Sequence, residues 1–210
     1  MSSKKIAGLG ILSALSIVLA SVIHFPLFAI APFLEYDPAD IPIFITTFMY
    51  GPLTGLIITI FVSLIQGFTV SAQSGVYGII MHVIATGTFV IVAGNIYKHK
   101  KTLKMAIVSL LCGILAWVLI MIPANFLITP YFTGAPISFV KKIMLPGIIP
   151  FNIIKSSVNA FITFILYKSI HKIFKKFVDK PTIDLTNIAP YSNESDSETK
   201  DKKDDNLNNN

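Results

Sequence analysis

Residues 41–70 read IPIFITTFMYGPLTGLIITIFVSLIQGFTV, thirty residues without a charge. As one helix the stretch would rise about 45 Å, against a bilayer core of about 30 Å. Gly51-Pro52 divides it. Proline suits the first turn of a helix and blocks the continuation of a preceding one. The reading is therefore two helices, a short one ending at Tyr50 and a longer one from Pro52.

Charge placement tests that division. The chain carries 17 cationic residues, all lysine. Away from Lys141, Lys142 and Lys155 they lie at Lys4 and Lys5, at Lys98–Lys104 and from Lys168 into the C-terminal tail. Positive loops face the cytoplasm, so an even number of crossings must separate each pair of clusters. Ile6–Ile23, the two halves of 41–70 and Val76–Tyr97 supply four; Met105–Leu127 and Leu145–Ile170 supply two. One undivided span at 41–70 would put the second cluster outside. Ile6–Ile23 is longer than the apolar region of about 7–15 residues in a signal peptide, so it is read as the first span.

Composition agrees. Over 210 residues, 53% are hydrophobic and only 13% charged, where soluble domains carry roughly 25% charged residues. The expectation is an all-α membrane protein of six transmembrane helices over 1–178, both termini cytoplasmic. Residues 179–210, rich in Asp, Asn, Ser and Lys, are expected to form a disordered cytoplasmic tail. The net charge of +6 is topological and gives no nucleic-acid patch. The segment His24–Pro42 holds four prolines, yet Phe25, Leu27, Phe28, Ile30, Phe33 and Leu34 make it greasy. It is expected to pack back as a lid or re-entrant segment.

Enzyme chemistry has little to stand on. No phosphate-cradling glycine loop and no His-Glu-x-x-His pair occurs, and the only acids before the tail are Glu35, Asp37 and Asp40. Cys112 is the single cysteine and is read as an inert buried thiol. No cofactor is expected.

The polar residues that need explaining lie in GIIPFNIIKSSVNAF, residues 147–161. Asn152, Lys155, Ser156 and Asn159 share one helical face. A lysine near the bilayer centre costs about 2.5–3.5 kcal/mol. Two readings of Lys155 are open: a strut satisfied by helix carbonyls or another helix, and a donor lining a polar cavity. Asn125, late in the fifth span, falls at a depth similar to Asn152. Two amides and an ammonium suit a planar heterocycle with imide-like edges, although an amide beside a proline can also bridge broken backbone. Glu35, Asp37 and Asp40 are either solvated loop charges or lid groups that touch a ligand. His82, alone in its span, reads as an ordinary hydrogen-bonded histidine. Gly10-x-x-x-Ala14 and Gly51-x-x-x-Gly55 allow close helix approach, within the chain or to a partner.

The motifs LEYDPADIPIFITTFMYGPLTG and GIIPFNIIKSSV resemble those of the substrate-binding S components of energy-coupling factor (ECF) vitamin transporters, most closely the riboflavin-specific group. The resemblance covers about Lys4 to Lys176. It implies an outward-facing vitamin pocket under the first loop, and a complex with a transmembrane coupling subunit and two cytoplasmic ATPases. It implies flavin contacts at Asn125, Asn152 and Lys155, and partner docking through Gly10 and Ala14. Val62 and Ser63 stand where the riboflavin group carries a Lys-Asn pair, and His82 replaces an asparagine. Those departures leave a pyridoxine-like or pyrimidine ligand open. A stand-alone facilitator is the alternative from another class. The candidate ligand-binding set is Asn125, Asn152, Lys155, Asp40, Ser156 and His82.

Overall fold

The computed structural model describes residues 3–178, with Lys4 and residues 168–178 described for backbone alone. The expected tail lies outside the described residues. Helix α1 spans Ser3–Val22, and α2 (Asp40–Tyr50) and α3 (Pro52–Phe68) follow the first loop. Next come α4 (Gly75–His99), α5 (Leu103–Thr133), a short α6 (Ile137–Ile143) and the long α7 (Ile149–Val178). Helices α1, α4 and α5, and the helical stretch Ile137–Tyr167, are long and apolar enough to cross a membrane; α2 and α3 are shorter. The chain is a multi-pass, all-α membrane protein with the six expected passes.

The break at Gly51 has a clear backbone cause. Gly51 has φ of 97°, a value that L side chains avoid. Its N–H closes α2 on the Thr47 carbonyl at 2.8 Å. Pro52 then opens α3, where its missing N–H costs nothing. The turn is packed from both sides. A Cβ on Gly55 would strike the Thr47 side chain, and one on Gly94 would sit 2.7 Å from Thr47 Cγ2 and 2.8 Å from Pro52 Cβ. Small residues thus let α2, α3 and α4 meet at Thr47.

At 11 residues, α2 reaches only about 16 Å. It is buried from Asp40 to Phe48 and packs on α1, α3, α4 and α7. A helix apolar all round belongs in the centre of a bundle. Phe44 stacks on Phe89 with centroids 3.8 Å apart, and Trp117 stands edge-on to both. Outward faces are apolar too: Ile11, Leu53, Leu111, Leu115 and Phe161 are exposed, as a lipid solvent requires. Threonine and serine hydroxyls inside the helices bond back to the carbonyl four residues earlier, as Thr46, Thr47 and Thr163 do.

The first loop folds back onto the bundle. Phe25–Pro26 (β1) pairs antiparallel with Glu35–Tyr36 (β2). Ala31 and Leu34 bury against Val140, Ile143, Met144, Ile148 and Phe151. Two expectations need adjustment. The last pass begins earlier than Leu145: α6 starts at Ile137 and runs through a π turn, Met144–Ile148, into α7. Pro146 and Pro150 remove two N–H donors there, and the wider turn lets the Ile149 N–H reach the Met144 carbonyl. Lys141 and Lys142 are exposed on α6. Cys112 is half-buried, where full burial was expected.

Candidate ligand-binding site

A cavity opens between the first loop and helices α3, α4, α5 and α7. It gives about 150 Å³ of room for the centres of water-sized molecules and opens on one side. Phe33, Tyr77, Trp117, Phe132 and Phe151 supply aromatic wall; Leu34, Met81, Met121 and Ile128 supply aliphatic wall.

Asn125, Asn152 and Lys155 all line this space. Asn125 is fully buried; its Nδ2 donates to the Met121 carbonyl at 2.8 Å and its Oδ1 accepts from Thr129 at 2.9 Å. Asn152 Nδ2 donates to the Ile148 carbonyl, at 2.8 Å, in the π turn. Its Oδ1 accepts from the Trp117 indole N–H, also at 2.8 Å. Each amide is thus held in one orientation, with one N–H and a carbonyl lone pair left over.

Lys155 Nζ donates to Asp37 Oδ2 at 2.6 Å. Its compensation is a carboxylate from the first loop. It is not clamped by main-chain oxygens, and a void lies beside it. The single bond leaves two N–H groups on the ammonium. Asp37 also accepts from the Ala39 N–H at 3.1 Å through Oδ1.

Behind this wall runs a buried polar network. Asn159 Nδ2 donates to Asp40 Oδ2 at 2.9 Å and to the Asp37 carbonyl at 3.2 Å. Tyr36 Oη donates to Asn159 Oδ1 at 2.9 Å; burial raises the Tyr36 phenol above its usual range and keeps it a neutral donor. Asp40 Oδ1 accepts from Thr86 at 2.6 Å and meets His82 Nε2 at 2.9 Å. His82 Nδ1 lies 3.0 Å from Ser63 Oγ. The network pins the loop and the start of α2 to α3, α4 and α7.

The candidates therefore separate. His82 lines the cavity, with both ring nitrogens engaged by protein. Asp40 is fully buried behind His82, outside the lining. Ser156 is also outside it, because its hydroxyl bonds to the Asn152 carbonyl at 2.6 Å. Gly10 and Ala14 are exposed on α1, away from the cavity, and a Cβ on Gly10 would meet nothing within 4 Å. Sequence reasoning missed Trp117, Asp37 as the lysine's partner, and Gln66. Trp117 had a signal, being the only tryptophan. The Lys155–Asp37 pairing spans 118 residues, and nothing local announces it.

Comparison with known proteins identifies the family. The chain is 27% identical over 180 residues to the riboflavin transporter RibU of Staphylococcus aureus (strain TCH60), covering 83% of this chain and 94% of that protein. It is 31% identical over 166 residues to the riboflavin transporter FmnP of Bacillus subtilis (strain 168), covering 75% and 87%. A solved structure, described as the S component of a bacterial ECF transporter, matches with a TM-score of 0.72 at 28% identity, covering 83% of this chain and 99% of that one. These relatives are transporter components and not enzymes. A family model for the substrate-specific component of ECF transporters matches residues 4–167, and with that span, this fold and this cavity, the chain belongs to that family.

Proposed function

We propose that this S component captures riboflavin from outside the cell and hands it to an ATP-driven complex. The observation that carries the reading is the wall formed by Asn125, Asn152 and Lys155 on an aromatic-lined cavity. Its spare N–H groups and lone pairs match the alternating acceptors and donor of a flavin's pyrimidine edge. The names of the two bacterial relatives support the same ligand. Trp117 and Phe151 supply apolar contact for the rings. Lys155 then serves both the loop, through Asp37, and the ligand.

The partners follow from the family: a transmembrane coupling subunit and two cytoplasmic ATPases. Gly10 and Ala14, bare on the outer face of α1, form the docking side. The lysine clusters support a cytoplasmic position for both termini.

The test is titration of the purified chain with riboflavin, read by quenching of flavin fluorescence. The wild type saturates at one flavin per chain. Lys155→Met weakens binding by about 10- to 100-fold, the range for losing a charge-assisted hydrogen bond of about 1.5–3 kcal/mol. Unchanged affinity in a folded Lys155→Met protein refutes the site.

A further inference from the structure

The cavity has a second polar patch, on a different wall. Gln66 sits near the end of α3, and Ser71 and Ser74 lie in the connection to α4; all three line the space. Gln66 is only 6% exposed, yet its amide makes no hydrogen bond to any described residue. Neither does either serine hydroxyl. Buried amides ordinarily find partners, so an unpartnered one beside a cavity points to a ligand. This is unlike Asn125 and Asn152, whose amides are held by the protein itself.

Local structure fixes where this patch points. The Gln66 carbonyl accepts from Thr69 N at 3.1 Å and Ser71 N at 2.9 Å, and the Ser71 carbonyl accepts from Ser74 N at 2.9 Å. The backbone is thus committed to a tight turn, and the side chains are left over. Gly67 and Gly78 flank the patch on the lining. A Cβ on Gly67 would strike Ile79, and one on Gly78 would come 2.6 Å from Ser74 Cβ. The bare Gly67 thus lets α3 and α4 approach, and the bare Gly78 leaves room for Ser74.

The charges decide the ligand chemistry. Lys155 is paired with Asp37, His24 with Glu35 at 2.7 Å, and His82 with Asp40. Among the described residues no unpaired cation lines the cavity. The patch offers neutral donors and acceptors, suited to hydroxyls and not to a phosphate. We propose that Gln66, with Ser71 and Ser74, forms a specificity subsite for the hydroxylated chain of the ligand, separate from the wall at Asn125, Asn152 and Lys155. The inference rests on the flavin reading above and adds to it which residues read the polyol.

The test compares two flavins on the full chain: riboflavin, and lumiflavin, which has the same rings and a methyl group in place of the ribityl chain. Gln66→Leu weakens riboflavin about tenfold and leaves lumiflavin unchanged, because the lost hydrogen bonds go only to the chain. Unchanged lumiflavin affinity also certifies that the variant is folded. Ser71→Ala, at a half-buried loop position, gives a smaller loss of the same one-sided kind, about threefold, and decides the matter if leucine at 66 prevents folding. Equal losses for both flavins, or no loss for riboflavin, overturn the subsite while the flavin reading stands. A wild type that binds neither flavin ends the flavin reading, and this subsite with it.

Discussion

Asp37→Asn is the perturbation that asks most of the structure. Asp37 joins the first loop to α7 through Lys155, 2.6 Å away, and Lys155 is only 7% exposed. Truncating one partner of a buried pair costs about 3–5 kcal/mol. Asparagine is gentler, since its one carbonyl still accepts from the ammonium, although its Nδ2 then faces the Ala39 N–H. What is lost is the charge-assisted part, about 1.5–3 kcal/mol. That energy holds the loop down, so its opening equilibrium rises by about 10- to 100-fold. Hydrogen exchange measures this directly. The Leu27, Ala31 and Leu34 amides bond within the loop at 3.4, 3.1 and 3.0 Å, and all three should exchange faster by that factor. Amides in the middle of α4 and α5, remote from Asp37, should keep their rates. Unchanged loop exchange would show that Ala31 and Leu34, buried against α6, the π turn and α7, hold the loop without the ion pair, and the reasoning about Lys155 would fail.

Further outcomes follow from the packing. Gly55→Leu forces a side chain into Thr47 on the buried α2, and overpacking of this kind costs about 1–3 kcal/mol; thermal unfolding in detergent should fall clearly below wild type. Asp40→Ala strips a fully buried carboxylate from His82, Thr86 and Asn159, and each donor left unpaired costs about 1–3 kcal/mol. That variant should be the least stable of the set by the same assay. Gly10→Leu meets open space, so stability and flavin affinity should match wild type while co-purification with the coupling subunit and ATPases drops. Intact assembly would remove Gly10 from the docking surface.

Much of the fold was legible because a membrane imposes coarse rules. Lysine parity and the Gly51-Pro52 break gave the number of passes, and an apolar loop crowded with prolines had to pack on something. The π turn was harder to see: the last span was read as starting at Leu145, whereas the chain is already helical from Ile137. Spacing placed Lys155 and Ser156 on one face, but a face is not a direction. The Ser156 hydroxyl turns back to its own helix, as short hydroxyl side chains do where water is absent. Gln66 was invisible for the opposite reason: one amide in an apolar helix looks like any other until its neighbours are known not to bond it.

The central claim is that the cavity beneath the first loop is a flavin site. Mass spectrometry of the detergent-solubilised full chain, purified from cells supplied with riboflavin, tests it most directly. The account predicts riboflavin at one molecule per chain, visible as a yellow preparation and lost in Lys155→Met. A saturated cavity holding a non-flavin molecule, or a chain that emerges empty and stays empty on adding riboflavin, would contradict it.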